Sequence, residues 1–279
     1  MKNKKFQVFG KVAQNNFLIL NRSNVYVANF KLENNVLVVG GFCDYDIYIP
    51  KIDFIPEIVN CVYIDSKSIL LHVYPFSLNG VEKNIIIING DKTSLEYWGE
   101  GITDIITIDK EFWIVFDEEG LTHIDADNIN NLYSSQILVQ ITQDKNLKFP
   151  FAHNELARNE IFDCTRMVYD EVNKTIWLFY FGEDDRNYCM NIDKLGNTLS
   201  NIECFYSARS AAMKDGVIRC VDESGKLVEH DIHVGKIDYF NIVAETGEPL
   251  LIESSYANNG EIYVESKNHY FRMVKGGSA

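Results

Sequence analysis

Residues 102–115 hold the stretch that decides the fold: an apolar run from Ile102, the polar turn Asp109-Lys110-Glu111, and a second run, Phe112-Trp113-Ile114-Val115. Alternating apolar residues on both sides of a short polar turn indicate two antiparallel strands joined as a hairpin. Five similar turns occur elsewhere in the chain: Gln14-Asn15-Asn16, Asp65-Ser66-Lys67-Ser68, Asp170-Glu171-Val172-Asn173-Lys174-Thr175, Lys214-Asp215-Gly216 and Asn258-Asn259-Gly260-Glu261. The sequence therefore predicts an all-β chain in which a hairpin returns every roughly 40 to 50 residues.

Hairpins at this interval resemble the blades of β-propellers, in which each blade is a small antiparallel sheet. The resemblance implies a single propeller, most simply of six blades, with units near residues 6–42, 57–98, from 102, 164–203, 208–241 and 249–274. Asn34-Asn35 and Asn89-Gly90 indicate further hairpin turns inside the first two units. A seventh blade over Val36–Ile49 would begin too close to Phe17. We expect the N-terminal strand, Phe6–Gly10, to complete the last blade and close the ring, because an open ring leaves a free strand edge. No family signature accompanies the repeat, so the resemblance is to propellers as a class.

The predicted organisation is one propeller domain over residues 1–275, followed by a tail or expression scar over residues 276–279. Phe112 and Ile176 are farther apart than other neighbouring strand onsets, which predicts an insertion over about residues 128–163 with a short helix at Asn154–Ile161. The acidic and aromatic segment Phe42–Pro50 is a second departure, between blades one and two. Such segments either carry function or are loops without a role, and the sequence leaves both open.

Composition places the chain among globular proteins. Apolar content of 46% and aromatic content of 13% supply a core of stacked sheets and exclude intrinsic disorder, in spite of a net charge of −14. No apolar run approaches the ~20 residues of a membrane span, and the basic start of the chain does not lead into the apolar block of a secretory signal. The six cysteines form no CxxC pair and are expected to be reduced thiols in a cytoplasm.

No motif specifies a reaction or a cofactor. A turn aspartate is expected to accept hydrogen bonds from nearby backbone N–H groups, which explains its presence in the predicted hairpins without any catalytic role. These aspartates are Asp65, Asp109, Asp170 and Asp215. Trp113 and Trp177 occupy the same place in their strands and are expected in the core, whereas Trp98, before Gly99-Glu100-Gly101, is expected at the surface.

No metal site is predicted either. His230 and His233 are three residues apart, a spacing that suits a helix but places side chains on opposite faces of a strand. We therefore expect both imidazoles to be solvated in a turn. Cys61, Cys189 and Cys220 lie in apolar strands and are expected to pack as small hydrophobic residues.

Acidic residues mixed with tyrosines indicate a protein-binding surface. The charge of −14 repels nucleic-acid phosphate and anionic membranes and raises the rate of association with a basic protein. Tyrosine supplies contact area in protein interfaces. The predicted partner-binding residues are Asp44, Tyr45, Asp46, Tyr48, Glu118, Glu119, Glu183, Asp184, Asp185 and Tyr188.

A narrower hypothesis concerns the partner. An acidic single domain without a catalytic motif, in a chain whose Asn, Ile and Lys content is typical of bacteria, resembles bacterial immunity proteins. That resemblance implies a cytoplasmic, non-catalytic toxin inhibitor, in which acids and tyrosines cover the positively charged cleft of a basic toxin such as a nuclease.

The alternative is an enzyme or carbohydrate-binding propeller that uses the mouth of its central channel. Charges near the start of the predicted inner strands would either bind a polar ligand there or neutralise one another as ion pairs. Glycoside hydrolysis would need two acids at a defined separation, which a sequence does not give. These channel-mouth residues are Glu57, Asp104, Arg166, Arg209 and Glu248.

Overall fold

A computed structural model describes residues 2–13, 15–20, 25–41, 43, 46–118, 136–142, 146–151, 161–258 and 260–278. The described residues form strands and turns, so the predicted all-β fold class is confirmed. They contain no helix that is long and apolar enough to cross a membrane. The chain divides into two compact units: a first unit, Ala13–Lys148, and a second unit made of Met1–Val12 and Phe149–Ala279. The single domain over residues 1–275 stays a prediction.

The chain begins with β1 (Lys2–Lys11), which belongs to the second unit. The first unit then contains three sets of four antiparallel strands, which we call blades one to three. Blade one is β2 (Asn16–Leu20), β3 (Val25–Glu33), β4 (Val36–Gly40) and β5 (Ile47–Ile49). Blade two is β6 (Ile58–Asp65), β7 (Ser68–Leu78), β8 (Val81–Asn89) and β9 (Lys92–Glu96). Blade three is β10 (Ile102–Ile108), β11 (Glu111–Phe116), β12 (Leu138–Ile141) and β13 (Leu147–Lys148).

The second unit contains blades four to six. Blade four is β14 (Ile161–Asp170), β15 (Thr175–Gly182), β16 (Asn187–Ile192) and β17 (Thr198–Cys204). Blade five is β18 (Ala208–Lys214), β19 (Val217–Asp222), β20 (Leu227–Asp231) and β21 (Lys236–Ala244). Blade six is β22 (Ser254–Asn258), β23 (Glu261–Ser266) and β24 (His269–Ser278), and β1 is its fourth strand. The predicted completion of the last blade by the N-terminal strand is therefore confirmed, and six sets of strands are consistent with six blades.

A repeated irregularity shows that these blades are equivalent units. The first strands β6, β10, β14 and β18 each carry a register shift near their start. The residue skipped in β10 and one of the two skipped in β14 are threonines, and Thr103 and Thr165 donate equivalent hydrogen bonds to the carbonyls of Val115 and Phe179. A β-bulge bends its strand and re-aims the side chains beside it. The same bend therefore recurs at the same place in successive blades.

The residue types of the predicted turns explain their conformations. Asn34-Asn35 and Asp109-Lys110 have positive φ at both positions, the conformation of the two-residue hairpin that matches strand twist. Asp170 closes a longer turn, because its carboxylate accepts hydrogen bonds from the N–H groups of Val172 and Asn173 at 2.9 and 3.1 Å. The structural role predicted for these turn aspartates is thus observed at Asp170, and Asp65 likewise accepts from Lys67 N–H at 2.9 Å.

We expect Asp170→Ala to lower the free energy of unfolding by on the order of 1–2 kcal/mol, because it removes the carboxylate that accepts from two turn N–H groups. Asp170 is 5% exposed and also accepts from the Asn173 amide at 2.7 Å. Asp65→Ala is the matched control, since Asp65 is exposed and makes one such bond. Urea denaturation of both variants tests the difference, and equal losses would contradict it.

The core follows the alternation in the sequence. Trp113 and Trp177 each occupy the third position of a second strand and are 0% and 2% exposed, as predicted. Trp98 is also buried, at 2%, so its predicted exposure is wrong. Its backbone N–H and indole N–H donate to Asn84 and Glu96, at 2.9 and 2.8 Å. These acceptors allow an indole beside a glycine-rich turn to be buried.

Several predicted boundaries are wrong. The turn predicted at Gln14-Asn15-Asn16, of which Gln14 lies outside the described residues, does not join two paired strands, since β1 pairs with β24 and β2 with β3. Ile47–Ile49 is the fourth strand of blade one, so Phe42–Pro50 is not an insertion between blades. Strands β12 and β13 lie inside the predicted insertion, and β24 continues to Ser278, so residues 276–278 are not a tail. The helix predicted at Asn154–Ile161 lies outside the described residues except for Ile161, which starts β14. Strands β5 and β13 are only three and two residues long, too short for an alternation that the sequence would reveal, and β24 ends beside β1 from the other end of the chain.

Candidate functional site

The first group of predicted binding residues stands on blade one. We call it the blade-one cluster: Lys31 and Glu33 on β3, Asp46, and Tyr48 on β5. The Lys31 ammonium lies 2.8 Å from carboxylate oxygens of both Glu33 and Asp46, and the Tyr48 hydroxyl donates to Glu33 at 3.0 Å. Hydrogen bonds to Asp46 and Glu33 raise the pKa of Lys31, while the bond from Lys31 lowers the pKa of Glu33. These hydrogen bonds therefore favour the ionised forms of Lys31 and Glu33.

The second group stands on blade four. This blade-four cluster comprises Asp184, Arg186, Tyr188 and Glu203. The Tyr188 hydroxyl donates to Asp184 at 2.6 Å, and the Arg186 guanidinium lies 3.7 Å from Asp184 and 3.2 Å from Glu203. Hydrogen bonding to Asp184 raises the pKa of Tyr188, so the phenol remains a donor at neutral pH. Tyr188 and Glu203 are directly opposite each other on β16 and β17, and this register assembles the cluster.

Backbone hydrogen bonds close the turn that carries Asp184 and Arg186. Gly182 N–H donates to the Arg186 carbonyl at 2.8 Å, and Asp185 N–H donates to the Gly182 carbonyl at 3.2 Å. The Tyr188 ring stacks on Tyr180, with ring centroids 5.3 Å apart and planes at 19°. An exposed carboxylate group is thus held by paired strands and a stacked ring, which lowers the entropy lost when a partner binds.

The structure brings some of the predicted binding residues together and leaves others apart. Glu183 and Asp185 are exposed in the turn of the blade-four cluster, and Glu118 is exposed just after β11. Asp44, Tyr45 and Glu119 lie outside the described residues. Sequence reasoning missed four members of the clusters: Lys31, Glu33, Arg186 and Glu203. Strand pairing brings Lys31, Glu33 and Glu203 to the predicted residues, whereas Arg186 lies in the same turn as Asp184, a local signal that was available in the sequence. Each cluster contains one cation and two carboxylates, so each keeps a net negative charge.

Two of the alternative channel-mouth residues lie in the first unit. Asp104 is 8% exposed on β10, where its carboxylate accepts from its neighbour Ile105 N–H at 2.9 Å and from the Asn60 amide at 3.3 Å. Glu57 precedes β6 and is exposed, and its carbonyl accepts from Tyr74 N–H at 2.8 Å. The hydrogen bond from the Asn60 amide to Asp104 thus connects β6 and β10, the first strands of blades two and three.

The other three channel-mouth residues lie in the second unit. The Arg166 guanidinium on β14 donates to the Arg209 carbonyl on β18 at 2.5 Å, and Arg209 pairs with Glu223 at 3.1 Å. Glu248 is exposed in the turn after β21, and the first strand of blade six begins only at Ser254. Its predicted place at the start of an inner strand is wrong, because residues 249–253 separate it from that strand. The hydrogen bond from Arg166 to the Arg209 carbonyl therefore connects the first strands of blades four and five.

A buried group of thiols and an imidazole was not predicted. One ligand atom from each of Cys189, Cys204 and His230 lies within 4.8 Å of the others, and all three residues are buried. His230 is on β20 and 2% exposed, so its predicted position in a solvated turn is wrong; His233 is the exposed one. The Tyr206 hydroxyl lies 3.0 Å from Nδ1 of His230. Such a donor set could hold a thiophilic metal ion.

Three solved structures are similar to this chain over almost its whole length. The extracellular domain of a hybrid two component system from B. thetaiotaomicron has a TM-score of 0.55 and 11% sequence identity, and the match covers 99% of this chain and 40% of that chain. YCF48 bound to D1 peptide has a TM-score of 0.54 and 10% identity, with coverage of 94% and 78%. A gluconolactonase from Xanthomonas campestris has a TM-score of 0.51 and 8% identity, with coverage of 97% and 87%.

All three are propeller-type proteins, and together with the repeated four-stranded sheets they define the fold of this chain as that of a β-propeller. The chain spans less than half the length of the first of them. No protein-family model and no curated protein matches the sequence. At these identities the likeness shows the fold alone.

Proposed function

We propose that this chain is a non-catalytic, protein-binding propeller whose partner is a basic protein. The observation that carries the proposal is the blade-four cluster. In it the exposed carboxylates of Asp184, in a turn, and Glu203, on β17, are linked by Arg186, and Tyr188 on β16 donates to Asp184. A lysine or arginine of a partner would add a second cation to this group. Its carboxylates are already oriented, so binding would cost little side-chain entropy.

The blade-one cluster supports the same function by its chemistry. In this cluster the Tyr48 hydroxyl donates to Glu33, and Glu33 and Asp46 both pair with Lys31. Exposed ion pairs contribute little to stability, so a charged network of this kind is not explained by folding alone. The formal charge of −14 adds long-range attraction for a cationic protein. The propeller fold by itself does not distinguish a binding protein from an enzyme, since one similar structure is bound to a peptide and another is a gluconolactonase.

The narrower form of the proposal is that the chain acts in a bacterial cytoplasm as an immunity protein. It would block a basic toxin, such as a nuclease, because its acids and tyrosines would occupy the positively charged cleft that otherwise receives phosphates. Inhibition would be steric and would need no chemistry from this chain.

Reversing the charge of Asp184 and Asp185, in the turn of the blade-four cluster, should weaken the complex strongly. We expect Asp184→Lys combined with Asp185→Lys to weaken binding to a co-expressed candidate toxin by on the order of a hundredfold, because it removes a cluster carboxylate and repels a basic partner. Copurification with the tagged chain and surface plasmon resonance at two salt concentrations measure the effect.

The matched control is Glu171→Lys combined with Glu245→Lys. Both glutamates are exposed turn residues of the second unit, so this variant makes the same change in net charge elsewhere. It should alter the association rate slightly and leave the complex intact. Equal weakening by both double variants would show that net charge acts without the cluster, and unchanged binding in the blade-four variant would refute the proposal.

A further inference from the structure

Two pairs of metal-binding side chains face each other between blades four and five. Cys189 on β16 pairs with Ile202 on β17, and Cys204 lies two residues beyond Ile202. Since strand side chains alternate with a period of two, Cys189 and Cys204 are diagonal neighbours on one face of the sheet. On blade five, Cys220 on β19 pairs with Val228, and His230 lies two residues beyond Val228 on β20.

These faces pack together in the second unit. Cys189, Cys204, Cys220 and Val228 belong to one buried cluster that also contains Tyr206. The folding of two blades therefore brings together three thiols and an imidazole that are spread over residues 189–230. No short spacing motif records such a site, since each ligand comes from a different strand.

The separations suit a metal ion. In a tetrahedral zinc site with Zn–S near 2.3 Å and Zn–N near 2.0 Å, ligand atoms stand roughly 3.5–3.8 Å from one another. The ligand atoms of Cys189, Cys204 and His230 are all within 4.8 Å of one another. Movements of under about 1 Å would close them on one ion, which rotation of a cysteine side chain can supply.

We propose that Cys189, Cys204 and His230 form a structural site for one Zn²⁺ ion that joins blades four and five. Binding converts two thiols to thiolates and releases two protons, and the neutral imidazole contributes a lone pair. The two thiolates carry a charge of −2, which offsets the +2 charge of the ion, and the imidazole is neutral. The complex can therefore lie in an apolar core without an uncompensated charge.

The surroundings of the ligands suit this chemistry. The Tyr206 hydroxyl, 3.0 Å from Nδ1 of His230, positions the ring in the way that outer oxygen partners orient metal-bound histidines. Thiolate and imidazole ligands together favour zinc over magnesium or calcium. Cys220 lies in the same buried cluster as a further thiol.

Zinc uptake by the full-length chain tests the site. The chain is purified under reductant, stripped with a chelator and titrated with Zn²⁺, with Mg²⁺ as the control ion. We expect about one zinc per chain by elemental analysis and a rise in the melting temperature of about 4 °C at zinc concentrations well above Kd. Co²⁺ should give the thiolate-to-metal charge-transfer absorption of a cysteine site.

Variants assign the ligands. Cys204→Ser and His230→Gln should each lower zinc affinity by more than the 10- to 100-fold typical of an outer partner, and Tyr206→Phe should lower it within that range. Cys164→Ser and Cys61→Ser are the matched controls, since both cysteines are buried and outside the group, and they should bind zinc as the unchanged chain does. A folded, reduced chain that takes up no zinc would overturn the proposal, even if the ligand variants fail to fold. Equal uptake by the ligand variants and the controls would also overturn it.

Discussion

Replacing Phe6 by alanine is expected to lower the free energy of unfolding by about 3–5 kcal/mol. Phe6 is fully buried in the core of blades five and six, among Ile242, Val264 and Phe271. It is also the central residue of β1, which pairs antiparallel with β24 and parallel with β21. The variant therefore leaves a cavity in the strand that joins the first residues of the chain to its last blade, and urea denaturation measures the loss.

Val8→Ala is the matched control for Phe6→Ala. Val8 lies two residues further along the same strand and is 55% exposed. Its truncation removes little buried surface and is expected to change stability by less than ~0.5 kcal/mol. If the two variants lost similar stability, or if Phe6→Ala were neutral, β1 would not be an integral strand of blade six.

Lowering the pH from 7 to 4 is expected to cost on the order of 3 kcal/mol through His72 alone. Burial lowers the pKa of His72 from 6.5 to about 4, and its Nδ1 atom is buried without a hydrogen-bond partner among the described residues. Between these pH values the unfolded chain binds a proton that the folded chain does not. The contribution of His72 to the free energy of unfolding is therefore complete above pH 6.5 and is lost as the pH falls toward 4.

His72→Leu isolates this effect from the titration of the carboxylates. Leucine fills a similar volume among the aliphatic residues of blade two and does not titrate. Urea denaturation at pH 7 and at pH 4.5 gives the change in stability of each protein, and the unchanged chain should lose clearly more than the variant. Parallel losses in both proteins would show that His72 is protonated in the folded state.

The hairpins were predictable because their signals are local. Asn34-Asn35 and Asp109-Lys110 combine turn residues with flanking apolar alternation and lie between paired strands. Asn89-Gly90 marks the end of β8, where Gly90-Asp91 leads into its partner β9. The pairing of β1 with β24 was predictable for a different reason, since a closed ring leaves no free edge. Gln14-Asn15-Asn16 shows the limit of the method, because a polar turn does not reveal whether the strands beside it pair.

The clusters depended on register, which the sequence does not give. Asp46 and Tyr48 were predicted as binding residues, but their partner Lys31 lies on β3 and reaches them only through the pairing of β3, β4 and β5. The same holds for Glu203 beside Tyr188. The thiols and His230 come from four strands of two blades, so each alone resembles an ordinary buried residue.

Site-specific cross-linking tests the proposed function most directly. A photo-reactive residue is placed at Glu183, in the exposed turn of the blade-four cluster, and separately at Val172, which is 75% exposed in the turn at the other end of β15. The proposal predicts that a basic protein cross-links at position 183 and not at position 172, and that Asp184→Lys with Asp185→Lys removes the product. Equal cross-linking at both positions, or an acidic partner at position 183, would contradict it.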